Sequence, residues 1–145
     1  MGTDGHVAPA AVTHVTFRVS ARLAHRGLAI DLIATLVKHV KTADSSFSDA
    51  ITTAFGEAFN NVVVHGYANR SDGMLDVDAE LGPSHMTLTL TDTGASANWS
   101  AVPLPDLATL PEGGLGVFMM HSLVDEVVYR AGSPNVLSLT KRTAR

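Results

Sequence analysis

Cysteine is absent from the 145-residue chain, which excludes disulfides, thiol catalysis and cysteine-ligated zinc. Aromatic residues are scarce at 6% and charged residues amount to only 17%, yet hydrophobic residues reach 46%. Such a chain buries a core instead of staying extended in water. Positive charge is not in excess either, since 10 Lys and Arg stand against 14 Asp and Glu for a net charge of -4. Neutralising nucleic-acid phosphates or an anionic lipid surface needs a positive patch, so neither kind of partner is expected. No apolar run approaches the length of a membrane span. The stretch from Met1 to Ala11 lacks the apolar centre of a secretory leader and carries Asp4. These absences give the expectation of one cytoplasmic domain over residues 12–145, preceded by a flexible tail at 1–11.

The hydrophobic pattern changes period along the chain. Val15, Phe17 and Val19 alternate with polar neighbours, as in a half-buried strand. Ile30, Ile33, Val37 and Val40 then share one helical face. A second helix is predicted from a capping-box-like Ser46 and Asp49, with Ile51, Phe55, Ala58 and Val62 as its apolar stripe and Gly66 as its stop. Leu75, Val77, Ala79 and Leu81, and then Met86, Leu88 and Leu90, form two alternating runs joined by Gly82-Pro83-Ser84, which reads as an antiparallel hairpin. Residues 93–114 are rich in glycine and proline, and a loop of that length inside a small domain is usually functional. A short helix at 115–123 and strands at 126–130 and 136–140 follow, turned by Gly132-Ser133-Pro134-Asn135. The order β-α-α-β-β-loop-α-β-β predicts an α+β fold, a two-layer sandwich with helices on one face of a mixed, mostly antiparallel sheet.

Three local features invite chemistry. Glu57, Asn61 and His65 fall at i, i+4 and i+8, near one face of the second helix. A carboxylate one turn from a carboxamide suits a general base beside a Mg²⁺ ligand, and it equally suits an exposed pair on a helix border. Asp92 continues the alternation of Met86, Leu88 and Leu90, which aims a carboxylate at a core face, unless the strand ends at Leu90 and Asp92 opens an ordinary turn. A buried carboxylate needs partners, because leaving it unpaired costs several kcal/mol. Pro111-Glu112-Gly113-Gly114-Leu115-Gly116 precedes a helix, where free backbone N–H groups suit phosphate oxygens or merely make a turn. It is neither a Walker A loop, lacking Gly-Lys-Ser/Thr, nor the dinucleotide fingerprint, since Met119 stands at the last glycine position. The seven histidines show no His-Glu-x-x-His pattern, so a metal cage is not expected.

In order, these elements resemble the boxes of the histidine-kinase-like (GHKL) ATPase superfamily. "GEAFNNVVVHGY" (Gly56–Tyr67) is similar to its N box, "TDTGAS" (Thr91–Ser96) to its first glycine box and "EGGLGVFMMHSLVDEVVY" (Glu112–Tyr129) to its second. Within the superfamily, Glu-x-x-x-Asn-x-x-x-His-Gly-Tyr and Gly-Gly-Leu-Gly followed by Val-Asp-Glu-Val resemble the anti-sigma-factor serine kinases of the RsbW kind.

The resemblance implies the ATP-binding fold of that superfamily, ATP and Mg²⁺ as cofactors, and a set of roles. Glu57 matches the general base that takes a serine proton, and Asn61 the Mg²⁺ ligand, with Asn60 as second choice. Asp92 matches the acceptor for the adenine amino group and Gly94 the glycine that makes room for adenine. Gly114, Leu115 and Gly116 match the backbone that wraps the phosphates, residues 97–112 the ATP lid, and Thr140 a threonine near adenine. It further implies a sigma factor or similar regulator as one partner, a STAS-type anti-anti-sigma protein phosphorylated on serine as another, and a homodimer. Two positions depart from the family pattern. Ser96 stands where the first glycine box carries its second glycine, and no Lys or Arg lies between Arg70 and Arg130. Phosphoryl transfer rests on stabilising spread negative charge, so a non-catalytic nucleotide-binding partner-switch module is the alternative reading.

Overall fold

A computed structural model of the chain describes residues 11–97 and 114–144, the latter without the side chains of residues 114 and 115. The proposed tail and nearly all of the expected lid, at 98–112, lie outside the described residues. The chain runs β1 (Thr13–Ser20), α1 (Arg26–Val37), α2 (Ser45–Asn61), β2 (Met74–Leu81), β3 (His85–Asp92), α3 (Gly114–Leu123), β4 (Glu126–Arg130) and β5 (Asn135–Arg142). The strands lie side by side as β1-β2-β3-β5-β4. Every adjacent pair is antiparallel, so the sheet is not mixed.

Alternation decides which side chains meet the helices. Leu75, Val77, Ala79 and Leu81 of β2, Met86, Leu88 and Leu90 of β3, and Leu137 and Leu139 of β5 are buried. They pack beneath Ile33 and Val37 of α1 and Ile51, Phe55, Ala58 and Phe59 of α2. Phe55 and Phe59 lie with ring centroids 6.3 Å apart. Burying each contributes about 1.5–3 kcal/mol relative to exposure. The opposite face of the sheet is polar. There Thr87 and Thr140 share a hydroxyl bond of 2.9 Å, and Thr89 and Ser138 one of 3.3 Å.

Two local departures from the expected elements matter for the site. The cap of α2 is Asp44, whose carboxylate accepts from the Phe47 N–H at 2.8 Å, and the Ser46 box is not used. An Asp at that position satisfies one of the helix's orphan donors just as Ser does. The helix also does not simply stop at Gly66. It widens into a π-helical turn over Val62–Gly66, closed by the Tyr67 N–H donating to Val62 O at 2.9 Å. Such turns insert one residue into the helical register and often sit at functional sites.

Candidate nucleotide site

The π turn carries the Gly66 backbone to the end of β3. There the Ala95 N–H donates to Gly66 O at 2.7 Å. A Cβ on residue 94 would lie 2.5 Å from that carbonyl oxygen and 2.6 Å from its carbon, so only glycine allows the two backbones to meet. Gly94 was expected to clear space for a base. The space it leaves is filled by Gly66.

Asp92 keeps the alternation of β3 and is only 8% exposed. Its Oδ1 accepts from the Gly94 N–H at 2.8 Å and from Asn135 Nδ2 at 3.0 Å. Its Oδ2 accepts from no described residue. Next to it is a small cavity of about 60 Å³, lined by Asn61, His65, Gly66, Asp92, Ala95 and Tyr129 among others. Larger hollows exist among the described residues, one of about 390 Å³ around Arg18 and Asp76, but that one lies on the polar face of the sheet and holds no buried polar group. Chemistry, not size, marks the smaller cavity as the candidate site.

Asn61, half-buried, lines this cavity, and its carboxamide has no hydrogen-bonding partner among the described residues, whereas Asn60 does not line it. An uncommitted amide oxygen suits Mg²⁺, which is held by one or two protein oxygens together with water and phosphate. The metal therefore fits the residues present.

Glu57 lies one helical turn earlier. A Cβ on Gly116 would sit 2.9 Å from its Oε1, so that glycine lets the start of α3 close on the carboxylate. Gly114 and Leu115 form the backbone of the same first turn. On the other side stands Arg26 of α1, with Nη2 3.8 Å from Glu57 Oε2 and Nε donating to Gly56 O at 3.3 Å. A Cβ on Gly56 would lie 2.6 Å from Arg26 Nη2 and 3.1 Å from Ile30 Cδ1, so a glycine inside α2 seats the guanidinium. Arg26 escaped the sequence reading because its neighbour is on another helix.

The sheet separates Thr140 from these residues, since its hydroxyl bonds Thr87 on the polar face. The polar residue of β5 that meets the site is Asn135, 1% exposed, which the sequence had assigned to a turn. Its phase with Leu137 and Leu139 was the available signal.

Residues 19–141 match the model of the histidine kinase-like ATPase domain. The chain belongs to that family. It is 33% identical over 97 residues to the serine-protein kinase RsbW of Staphylococcus epidermidis, covering 61% of each chain. It is 30% identical over 79 residues to the anti-sigma F factor of Clostridium beijerinckii, covering 52% of this chain and 55% of that one. The chain thus spans little more than half the length of these relatives. The RsbU and RsbW domains of Rv1364c from Mycobacterium tuberculosis superpose with a TM-score of 0.65 at 25% identity, over 95% of this chain and 34% of that one. This histidine kinase-like ATPase domain thus has the five-stranded antiparallel sheet and helical layer of an RsbW-like fold. None of its described helices is long and apolar enough to cross a membrane.

Proposed function

We propose that this domain is an ATP- and Mg²⁺-dependent protein serine kinase that works as an anti-sigma factor. It would hold a sigma factor or similar regulator and phosphorylate a serine of a STAS-type anti-anti-sigma protein. The observation that carries the reading is the buried Asp92 carboxylate, which lines a cavity with one oxygen committed and the other without a donor among the described residues. An exocyclic amino group of adenine supplies that missing donor, and a charge-assisted bond of this kind is among the stronger ones available.

Asn61 would hold the metal, which when bound draws negative charge from the phosphate oxygens. The Gly114–Gly116 backbone at the start of α3 would lie against the phosphates. Glu57 would take the proton from the serine hydroxyl as its oxygen bonds the γ-phosphorus. The bond from that phosphorus to the β,γ-bridging oxygen breaks, and ADP leaves. Arg26 would steady the Glu57 carboxylate, with Nη2 3.8 Å from its Oε2.

The segment between Arg70 and Arg130, without Lys or Arg, favours a second reading, a module that binds nucleotide and partners without transferring phosphate. Incubation with γ-labelled ATP, Mg²⁺ and purified STAS domains separates the two. Label on a partner serine is the expected result. Free phosphate alone would make the domain an ATPase, and nucleotide-dependent partner binding without label would make it the module.

A further inference from the structure

The alternation of β5 puts residue 135 on the core face, in phase with Leu137 and Leu139. An asparagine there is costly unless every polar atom is satisfied. All of them are. Nδ2 donates to Asp92 Oδ1 at 3.0 Å and to Gly94 O at 2.9 Å, while Oδ1 accepts from Ser96 Oγ at 2.5 Å and from the Gly132 N–H at 3.0 Å. Gly132 N–H can only donate and Gly94 O can only accept, so the two ends of the amide cannot be exchanged.

Asp92 is held by this amide. The terminal torsion of an aspartate is broad, and packing alone does not fix the plane of its carboxylate. Two donors converge on Oδ1, one from the Gly94 backbone and one from Asn135, and they fix the carboxylate plane of a residue that lines the cavity while Oδ2 has no donor among the described residues. Ser96, exposed and standing where the family pattern has glycine, adds the bond that orients Asn135 from the outside.

We propose that Asn135, oriented by Ser96, is a positioning residue that sets the base specificity of the site by fixing the plane of the Asp92 carboxylate. The inference rests on the reading of Asp92 as the adenine acceptor. Adenine offers an amino donor to Oδ2, whereas hypoxanthine offers a carbonyl oxygen that a fixed carboxylate repels. A site built around one hydrogen-bonding group rejects the analogue that lacks it, because its own buried group is left unpaired.

The test is calorimetric titration of ADP and IDP, each with Mg²⁺. Wild type is expected to bind ADP more than about tenfold tighter than IDP, the worth of one charge-assisted hydrogen bond. Asn135→Ala is expected to bring the two within about threefold, and Ser96→Ala to narrow the ratio by about two- to threefold, a fraction of one such bond. Ser96→Thr keeps the hydroxyl and the wild-type ratio. The double variant Ser96→Ala/Asn135→Ala matches Asn135→Ala, since Ser96 acts through it. Should Asn135→Ala fail to fold, the exposed Ser96→Ala and Ser96→Thr pair decides. Equal losses for ADP and IDP, with the ratio unchanged in the variants, would make Asn135 merely structural and overturn the proposal. A wild type that binds both alike, or neither, would overturn the adenine assignment of Asp92 and the proposal with it.

Discussion

Replacing Gly94 by alanine separates two accounts of one glycine. If it only clears space for a ligand, the substitution costs affinity and leaves the fold alone. The structure argues otherwise, because the added carbon would lie 2.5 Å from Gly66 O and 2.6 Å from Gly66 C, where real Cβ contacts stay beyond 3.0 Å. The two backbones must therefore part by at least about half an ångström, and neither is the loose end of a side chain. That displacement stretches the Ala95–Gly66 bond of 2.7 Å and pulls the Gly94 N–H away from Asp92 Oδ1, now 2.8 Å distant. Overpacking of this kind costs about 1–3 kcal/mol. For a domain of this size each kcal/mol lowers Tm by about 3–4 °C, so a fall of about 3–12 °C is expected by calorimetry. ADP affinity should drop about tenfold as well, because the donor that anchors Asp92 has moved. A Tm within about 1 °C of wild type, far below that expected fall, with affinity lost would refute the close-approach argument and restore the simple clearance role.

Glu57→Gln keeps size and helix propensity but removes basicity, so ATP affinity should stay near normal. Single-turnover transfer to the partner serine should fall by on the order of 10²-fold, and equal rates would reduce Glu57 to an orienting residue. Asn61→Ala should weaken Mg²⁺-dependent ATP binding in titrations with and without the metal, while Asn60→Ala, outside the cavity, should change it little; the reverse outcome would shift the helix register by one. On the polar sheet face, the hydrogen bond from Arg18 at 2.7 Å holds the Asp76 carboxyl below the usual carboxylate range. The folded value is the lower one, so the small stabilisation from this exposed pair is present above the ordinary carboxylate value and is lost as pH falls through the folded one. Thermal melts of wild type and Arg18→Gln should therefore converge in acid, and a gap that persists there would rule out the linkage.

Most of the fold was legible because its periods are clean. The run Met86, Leu88, Leu90 predicted a strand and left Asp92 either on its core face or opening a turn; the strand runs through Asp92 and the carboxylate is buried. What could not be read was whatever depends on two segments meeting. Arg26 sits beside Glu57 only because α1 and α2 pack together, and no local pattern in either helix announces it. Asn135 was hidden by its proximity to Ser133-Pro134, a turn signal strong enough to mask the first residue of β5. The π turn after Asn61 is equally silent, since the apolar stripe of α2 continues through it. Thr140 shows the converse error. A polar residue in the right strand lies on the wrong face when the parity of the alternation is not followed to the strand's start.

The glycine at position 56 sets helix stability against the seating of Arg26 beside Glu57. In the middle of a helix, glycine forgoes about 1 kcal/mol relative to alanine. Alanine would meet no backbone there, only the tip of the long Arg26 side chain at 2.6 Å and Ile30 Cδ1 at 3.1 Å, which would have to give by a few tenths of an ångström. The helix would gain what the substitution offers by turning the guanidinium out of its seat, and the carboxylate of Glu57 would lose its neighbouring cation. Stability and charge arrangement thus make opposite demands on one position. A screen that selected variants of this domain for thermal resistance alone would be drawn to residue 56 and would return a firmer helix in which Glu57 has lost the cation beside it.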